Sequence, residues 1–220
     1  MEEGSRSALS DAWPLFGLVI RTPRLVLRLP TEGELIELLQ VAKAGVHDPE
    51  YMPFGFGWTD LASPDFERGF MQYHWRTRAE WSSRDWTLDL GVWVDGRIVG
   101  TQGIRGENFP VFRRVGTGSY LGKQSQGLKI GLEMRSAVLA FSFDHLEAER
   151  ATSEAFMDNA PSIGVSRSLG YADNGFRWMA PRGEARQEQQ FLMTREMWQA
   201  RERMPIEVDG LDACRDMFGV

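Results

Sequence analysis

The chain reads as a single α/β domain, and three features of its sequence predict this. Apolar residues alternate along much of 86–121, shift to helical spacing over 131–145 and return to a strand-like run at 150–156. A polar, glycine-bearing stretch, Gln124-Ser125-Gln126-Gly127-Leu128-Lys129-Ile130-Gly131, joins a predicted strand directly to an amphipathic helix. Finally, 220 residues, 42% of them hydrophobic and 25% charged, supply one sizeable core but are cramped for two.

The elements follow in order. Residues 1–12, rich in Ser, Glu and Gly, read as a disordered start, 13–204 as the domain and 205–220 as a short tail. Leu15–Ile20 and Leu25–Leu29 are strand-like, broken at Thr22-Pro23 because proline cannot donate to a ladder. Thr31 and Glu34 form a capping box for a helix that buries Leu35, Leu38, Leu39 and Ala42 and stops near Gly45. From His47 to Asp60, prolines and glycines forbid a helix, yet Tyr51, Met52, Phe54, Phe56 and Trp58 are large and apolar. Such a loop either lines a ligand site or covers a core.

A helix is predicted over about Ser63–Arg84, then strands at Trp86–Val94 and Arg97–Ile104 about the hairpin signal Asp95-Gly96. After a loop at Gly106–Arg113 come a strand at Val115–Leu121, the glycine loop, a helix over Gly131–His145 and a strand at Arg150–Phe156. Asp158-Asn159-Ala160-Pro161-Ser162 opens a further helix that closes at Leu169-Gly170. Tyr171–Met179 and Gln189–Thr194 are the last strands.

Composition removes several function classes. A formal charge of −6 opposes a general nucleic-acid or anionic-membrane binder, which needs a basic face. It leaves room for an anionic ligand held locally, and Lys123, Lys129 and Arg135 gather about the glycine loop. One cysteine, Cys214, excludes an internal disulfide and fits a reducing compartment. Three histidines without a close partner make a metal site an unfavoured expectation. No signal-like or membrane-length apolar run is present, so the expected location is cytoplasmic.

The glycine loop carries the chemistry. A helix beginning there aims unpaired backbone N–H groups and the positive end of a helix dipole at one point, which suits a pyrophosphate. The spelling is not a P-loop, because Gly127 and Gly131 are followed by Leu132-Glu133, and no G-x-G-x-x-G occurs there. Gln126-x-x-Lys129-x-Gly131 resembles the Q/R-x-x-G-x-G/A loop of the GNAT superfamily of acyl-CoA-dependent N-acyltransferases, with Lys129 in place of the middle glycine. That lysine either crowds the phosphates or turns outward and supplies a cation. Asp158-Asn159-Ala160-Pro161-Ser162 through Gly170-Tyr171 is similar to the family's N-x-x-S-x-x-x-x-x-x-x-G-[FY] stretch. Arg21-Thr22-Pro23-Arg24-Leu25-Val26-Leu27-Arg28 resembles the opening strand of the ribosomal-protein N-terminal acetyltransferase branch. Finer wording, such as Gly131-x-Glu133-Met134-Arg135, is similar to an actinobacterial subgroup with a mycobacterial member associated with succinyl-CoA.

The resemblance implies a mixed, mostly antiparallel sheet of about seven strands, splayed at the middle and flanked by about four helices. It implies pantetheine pairing with the backbone of Ser119, Tyr120 and Leu121, and pyrophosphate held by Gln126, Gly127, Leu128, Lys129, Ile130 and Gly131. Asn159 would bond the pantetheine amide, or act only as a helix cap. Ser162 would protonate the leaving thiolate, or be a plain first-turn hydroxyl. Glu154 and Asp158, then Asp89 and His74, are the candidates to deprotonate the acceptor. A succinyl carboxylate would want a cation, for which Arg68, Arg76, Arg78 and Arg84 are available. The implied co-substrate is acetyl-CoA or succinyl-CoA, and the implied partner is an amine (protein lysine, N-terminus or small amine). A homodimer or larger homo-oligomer fits the family too. A non-catalytic acyl-CoA sensor of the same fold is the competing expectation.

Overall fold

The computed structural model describes residues 2–220. Helix α1 (Glu2–Ala12) leads into strands β1 (Val19–Arg21) and β2 (Leu25–Arg28), helices α2 (Glu32–Lys43) and α3 (Asp65–Ala79), and the hairpin β3 (Trp86–Val94) and β4 (Arg97–Gly106). A four-residue helix α4 (Phe109–Phe112) precedes β5 (Arg114–Leu121), α5 (Ile130–Ala140), β6 (Arg150–Phe156) and α6 (Ala160–Ser168). Strands β7 (Ala172–Met179) and β8 (Arg186–Thr194), helix α7 (Arg195–Gln199) and β9 (Glu207–Asp209) complete the chain. One nine-stranded sheet runs β7-β8-β6-β5-β4-β3-β2-β1-β9. Every neighbouring pair is antiparallel except β5 and β6, which are parallel.

Local chemistry explains the elements. Thr31 and Glu34 form the reciprocal capping box: the Glu34 N–H donates to Thr31 Oγ1 at 3.4 Å and the Thr31 N–H to Glu34 Oε2 at 2.8 Å. Asp95 and Gly96 take φ of 48° and 76°, the doubly positive turn that matches hairpin twist. Alternation along β3 sends Leu88, Leu90 and Val92 to one face and Asp89, Gly91 and Trp93 to the other. The first face packs on α5, with Ala137, Val138 and Phe141 fully buried; the second packs under α2 and α3 against Leu35, Leu38, Phe66 and Phe70.

Both ends depart from expectation. The supposed disordered start is α1, docked by Leu9 on the main core and by Arg6, which donates to Leu29 O at 3.1 Å; Met1 lies outside the described residues. The supposed tail belongs to the domain: β9 pairs with β1, and Leu211, Cys214 and Phe218 are buried. Nine strands replace the expected seven, and α1, α4 and α7 join the four expected helices. Helix α3 is shorter than the predicted 63–84 span. Among the described residues no helix is long and apolar enough to cross a membrane.

Candidate active site

The parallel pair β5 and β6 stays in register over only three couples, Arg114↔Arg150, Val115↔Ala151 and Gly116↔Thr152. Both strands continue, to Leu121 and Phe156, so beyond Gly116 and Thr152 they part and leave a gap in the middle of the sheet. The backbone of β5 can be followed into that gap. Gly122 donates to Val99 O at 2.9 Å, and the register with β4 places Thr101 opposite Tyr120. Strand alternation then turns the backbone of Tyr120 toward β4 and that of Ser119 and Leu121 toward β6. Ser119 and Leu121 thus turn main chain toward the gap, with the Leu121 carbonyl taken by the Gln126 side chain, while Tyr120 turns its main chain to β4 and packs its ring against Trp58 at 5.5 Å.

At the wide end of the gap stands the N-terminus of α5. Its N-cap is Lys129, and no side chain caps it. No protein acceptor takes the N–H groups of Gly127, Leu128 or Lys129 among the described residues, so the loop entering α5 presents free donors beside the positive dipole end of that helix. Gly127 has φ of 75° and Lys129 of 61°, both left-handed. Lys129 thus adopts the backbone a glycine would, with its side chain exposed. The Gln126 side chain turns toward the protein. Its side-chain amide donates to Val46 O at 2.8 Å and Leu121 O at 2.9 Å, bracing the loop against the α2–α3 connection and the end of β5. Lys123 bonds Asp48 in the same connection, and the loop is further tied down where Arg24 donates to Leu128 O at 3.2 Å and pairs with Glu133 at 2.6 Å.

Arg135, grouped by sequence with the loop cations, is instead a buried residue beneath the gap. It donates through Nη1 to Ser153 Oγ at 2.8 Å, through Nη2 to Ser119 Oγ at 3.2 Å and through Nε to Gln102 Oε1 at 3.4 Å. Burial lowers its pKa, opposed by Tyr171. Among the described residues its partners are neutral, the two serines and Gln102. The sequence signal was available in retrospect: Arg135 falls on the same helix face as Val138 and Leu139, three and four residues on.

The second motif opens α6. Asn159 Oδ1 accepts from the Ser162 N–H at 3.2 Å, which makes Asn159 the cap and leaves its Nδ2 free to donate. The Ser162 side chain is half-buried. Among the candidate bases, Asp158 is committed elsewhere: Arg186 donates to both its oxygens at 2.6 and 2.8 Å, and Tyr51 donates at 3.1 Å. Burial and the Asp158 charge push the Tyr51 phenol up to about 12. Glu154 is exposed on the face opposite α5, 3.5 Å from Arg177. Asp89 is buried on that same face with His74 Nδ1 at 3.5 Å. Burial pushes the Asp89 carboxyl up to about 7 and the His74 imidazole down to about 3, so the pair favours its neutral forms.

The aromatic loop covers part of the core and is pinned beside the gap. Trp58 stacks on Phe66 at 5.9 Å and Met52 is buried, so part of it completes the core under α3. Arg182 holds Asp60 at 2.6 Å and Arg186 donates to Met52 O at 2.6 Å, fixing the loop beside the β6–α6 turn. The four arginines considered for a succinyl carboxylate are engaged or exposed elsewhere. Arg78 pairs with Glu32 at 2.6 Å, Arg68 with Asp65 at 3.8 Å, Arg84 bonds Asn108 at 2.9 Å, and Arg76 is exposed. Among the described residues no cluster of His, Cys, Asp or Glu is placed to hold a metal ion.

A sheet opened between two parallel strands, with an uncapped helix N-terminus at the mouth, has the geometry to receive an extended, anionic ligand along exposed main chain. A family model described as the acetyltransferase (GNAT) domain matches residues 24–172, and the chain belongs to that family, whose chemistry is acetyl transfer from a CoA thioester. Solved structures share the fold. RimJ of Mycobacterium smegmatis, in complex with CoA-disulfide, is 17% identical with a TM-score of 0.68 over 92% of this chain and 94% of its own. A GCN5-related N-acetyltransferase of Brucella melitensis is 20% identical with a TM-score of 0.65, covering 83% of this chain and 80% of that one. RimL, a ribosomal L7/L12 alpha-N-protein acetyltransferase in complex with CoA, is 13% identical with a TM-score of 0.64, covering 80% and 97%.

Proposed function

We propose that this protein is an N-acyltransferase that moves an acetyl or succinyl group from a CoA thioester to a primary amine by direct attack. The observation that carries this reading is the parting of β5 from β6 after Gly116 and Thr152, with the free donors of the loop entering α5 at the mouth. The pyrophosphate would rest on the main chain of Gly127, Leu128, Lys129, Ile130 and Gly131, and the pantetheine arm would run along Ser119 and Leu121. A backbone N–H of that edge would polarise the thioester carbonyl, where a preplaced donor stabilises developing negative charge. Asn159 Nδ2 would hold a pantetheine amide, and Ser162 would return a proton to the CoA thiolate. The acceptor would be a protein N-terminus, a lysine or a small amine, approaching from the face that carries Glu154 and Asp89. The location would be cytoplasmic, and a homo-oligomer is compatible with the assignment.

Lys129 gives little support to the sensor reading. It takes the left-handed backbone that glycine favours, so the side chain changes while the loop keeps its path. For a succinyl donor, the buried Arg135 borders the gap, whereas Arg68, Arg76, Arg78 and Arg84 are engaged or exposed elsewhere. The test is calorimetry with CoA, acetyl-CoA and succinyl-CoA, followed by thiol-release assays on a panel of amines. Binding with turnover supports the enzyme; tight binding without turnover on any amine supports the sensor. A clear preference for succinyl-CoA over acetyl-CoA selects the donor, and equal or weaker binding rejects it.

A further inference from the structure

On the face of the sheet opposite α5, one row crosses the molecule at the level where the gap opens. Asp89 of β3 pairs with Gly103 of β4, Gly103 with Gly118 of β5, and Glu154 of β6 pairs with Gln190 of β8 on the far side of the gap. Counting the parallel register on from Gly116↔Thr152 places Glu154 opposite Gly118. Two carboxyl groups therefore stand on one row and one face, on either side of the gap, and the two positions between Asp89 and the gap have no side chain. A Cβ on Gly103 would press on Asp89 Oδ1 at 3.2 Å, while one on Gly118 would meet nothing within 4 Å. The floor from the carboxyl to the gap is open because both residues are glycine.

The surroundings of Asp89 have the chemistry of a proton path. From α3, His74 places Nδ1 3.5 Å away, and Tyr73 and the Arg78 charge face the same space. From β5, Tyr120 brings a buried hydroxyl that no group among the described residues satisfies, close enough to Asp89 to feel its charge. Arg105 of β4 acts on Tyr73 from the outer side. A buried hydroxyl without a protein partner in a polar space is the group that a water molecule bonds. Strand spacing sets Asp89 about 10 Å from the strand that borders the gap, so a proton from the gap reaches it through water.

Building on the acyltransferase reading above, we propose that Asp89, braced by His74 and reached over the glycine floor of Gly103 and Gly118, is the terminal acceptor of the proton that the attacking amine gives up. The ammonium form of the acceptor loses one proton through water to the Asp89 carboxylate. The freed lone pair then attacks the thioester carbon, the C–N bond forms and the C–S bond breaks. The second nitrogen proton passes to the departing thiolate, and Asp89 returns its proton to solvent between turnovers. Burial gives Asp89 an affinity for protons suited to this at neutral pH, where an ordinary carboxylate is too weak a base. Glu154, exposed and beside Arg177, is the alternative acceptor on the same row.

The experiment measures kcat and KM against pH for wild type, Asp89→Asn, Glu154→Gln and Gly118→Val, with CoA affinity measured by calorimetry for each. The expected result is a wild-type rate that rises through neutral pH. Asp89→Asn should lower kcat about 100-fold and lose that rising limb, with CoA affinity within twofold of wild type. Gly118→Val, which fills the path and leaves the carboxyl intact, should lower kcat with the limb retained. If Asp89→Asn keeps the rising limb, or if Glu154→Gln alone removes it, the assignment to Asp89 is overturned while the transferase reading stands. If wild type binds CoA thioesters but turns over no amine, the transferase reading falls and this role falls with it.

Discussion

The Arg135 guanidinium donates to Ser153 Oγ on β6 at 2.8 Å and to Ser119 Oγ on β5 at 3.2 Å, so one buried cation spans the two strands that part. Elsewhere in the sheet, strand spacing is set by the backbone ladder. Beyond Thr152 the ladder between β5 and β6 is gone, and Arg135 with its hydroxyl partners stands in its place. Gln102 on β4 and the charge of Arg135 acting on Tyr171 extend the same network to both sides.

Replacing Arg135 with Met tests that role. Removing a buried charge relieves a desolvation penalty, whereas the buried Gln102 Oε1 and the half-buried Ser119 hydroxyl lose their partner, at about 1–3 kcal/mol for a buried group left unpaired, and Ser153 keeps its bond from Ser166. These terms oppose each other, so the expected change in unfolding free energy by urea titration is no more than about 3 kcal/mol. CoA affinity by calorimetry should fall at least tenfold, because the gap loses the residue that fixes its width. Unchanged affinity in a folded Arg135→Met protein would show that the backbone alone holds the strands apart.

At Lys129 the prediction concerns backbone conformation. A left-handed, non-glycine residue costs about 1 kcal/mol relative to glycine there, and φ is 61°. Lys129→Gly should therefore raise stability by about 0.5–1 kcal/mol in thermal or chemical unfolding. The exposed ammonium would contribute only screened attraction to a phosphate, so CoA affinity should change no more than about threefold, with a weaker salt dependence. Loss of binding in this variant would mean that the lysine side chain is itself a principal contact.

The C-terminal segment gives a direct stability test. Phe218 is fully buried and meets the Trp81, Trp86 and Phe141 rings edge-on at 5.3, 5.0 and 5.9 Å. Truncating a side chain of that size in a packed core costs about 3–5 kcal/mol. Phe218→Ala should lose that much in urea unfolding, with CoA affinity unchanged in the folded fraction, since Phe218 lies on the core and not at the gap. A loss below about 1 kcal/mol would mean that the segment is only loosely docked.

What was legible in the sequence follows the range of the interactions involved. Helix caps and the hairpin are local, so Thr31-x-x-Glu34, Asn159 and Asp95-Gly96 specified themselves. Strand β6 was read to the residue because turn signals bound it on both sides. The ends were missed for the opposite reason. Helix α1 and the segment around Phe218 are short and sparsely apolar, and only contacts more than 20 residues distant, such as Arg6 with Leu29 and Phe218 with Trp86, give them a fixed place. The site divides in the same way. Gly127 and Gly131 could be read from spacing, but which backbone of β5 faces the gap depends on its register with β4. Arg135 looked like a loop cation because its serine partners come from two strands 34 residues apart in the chain (119 and 153).

The last prediction concerns acid stability and the buried pair. Asp89 rises on folding from 3.8 to about 7, so between these values the folded state holds the extra proton. Its contribution is therefore favourable at low pH and is lost as pH rises through about 4 to 7. His74 falls from 6.5 to about 3, so here the unfolded state holds the extra proton, and stability is lost as pH falls through that window. Each shift corresponds to something on the order of 4 kcal/mol, and the two slopes oppose each other across pH 4–7. In wild type they should largely cancel at this pair. Asp89→Asn removes one slope: the variant should gain stability relative to wild type at pH 8, where the buried carboxylate is charged, and lose that advantage by pH 5. Urea midpoints for both proteins at pH 5, 6, 7 and 8 measure the difference. A constant offset across that range would mean that Asp89 does not hold its proton near neutrality, and its place as the proton acceptor would go with it.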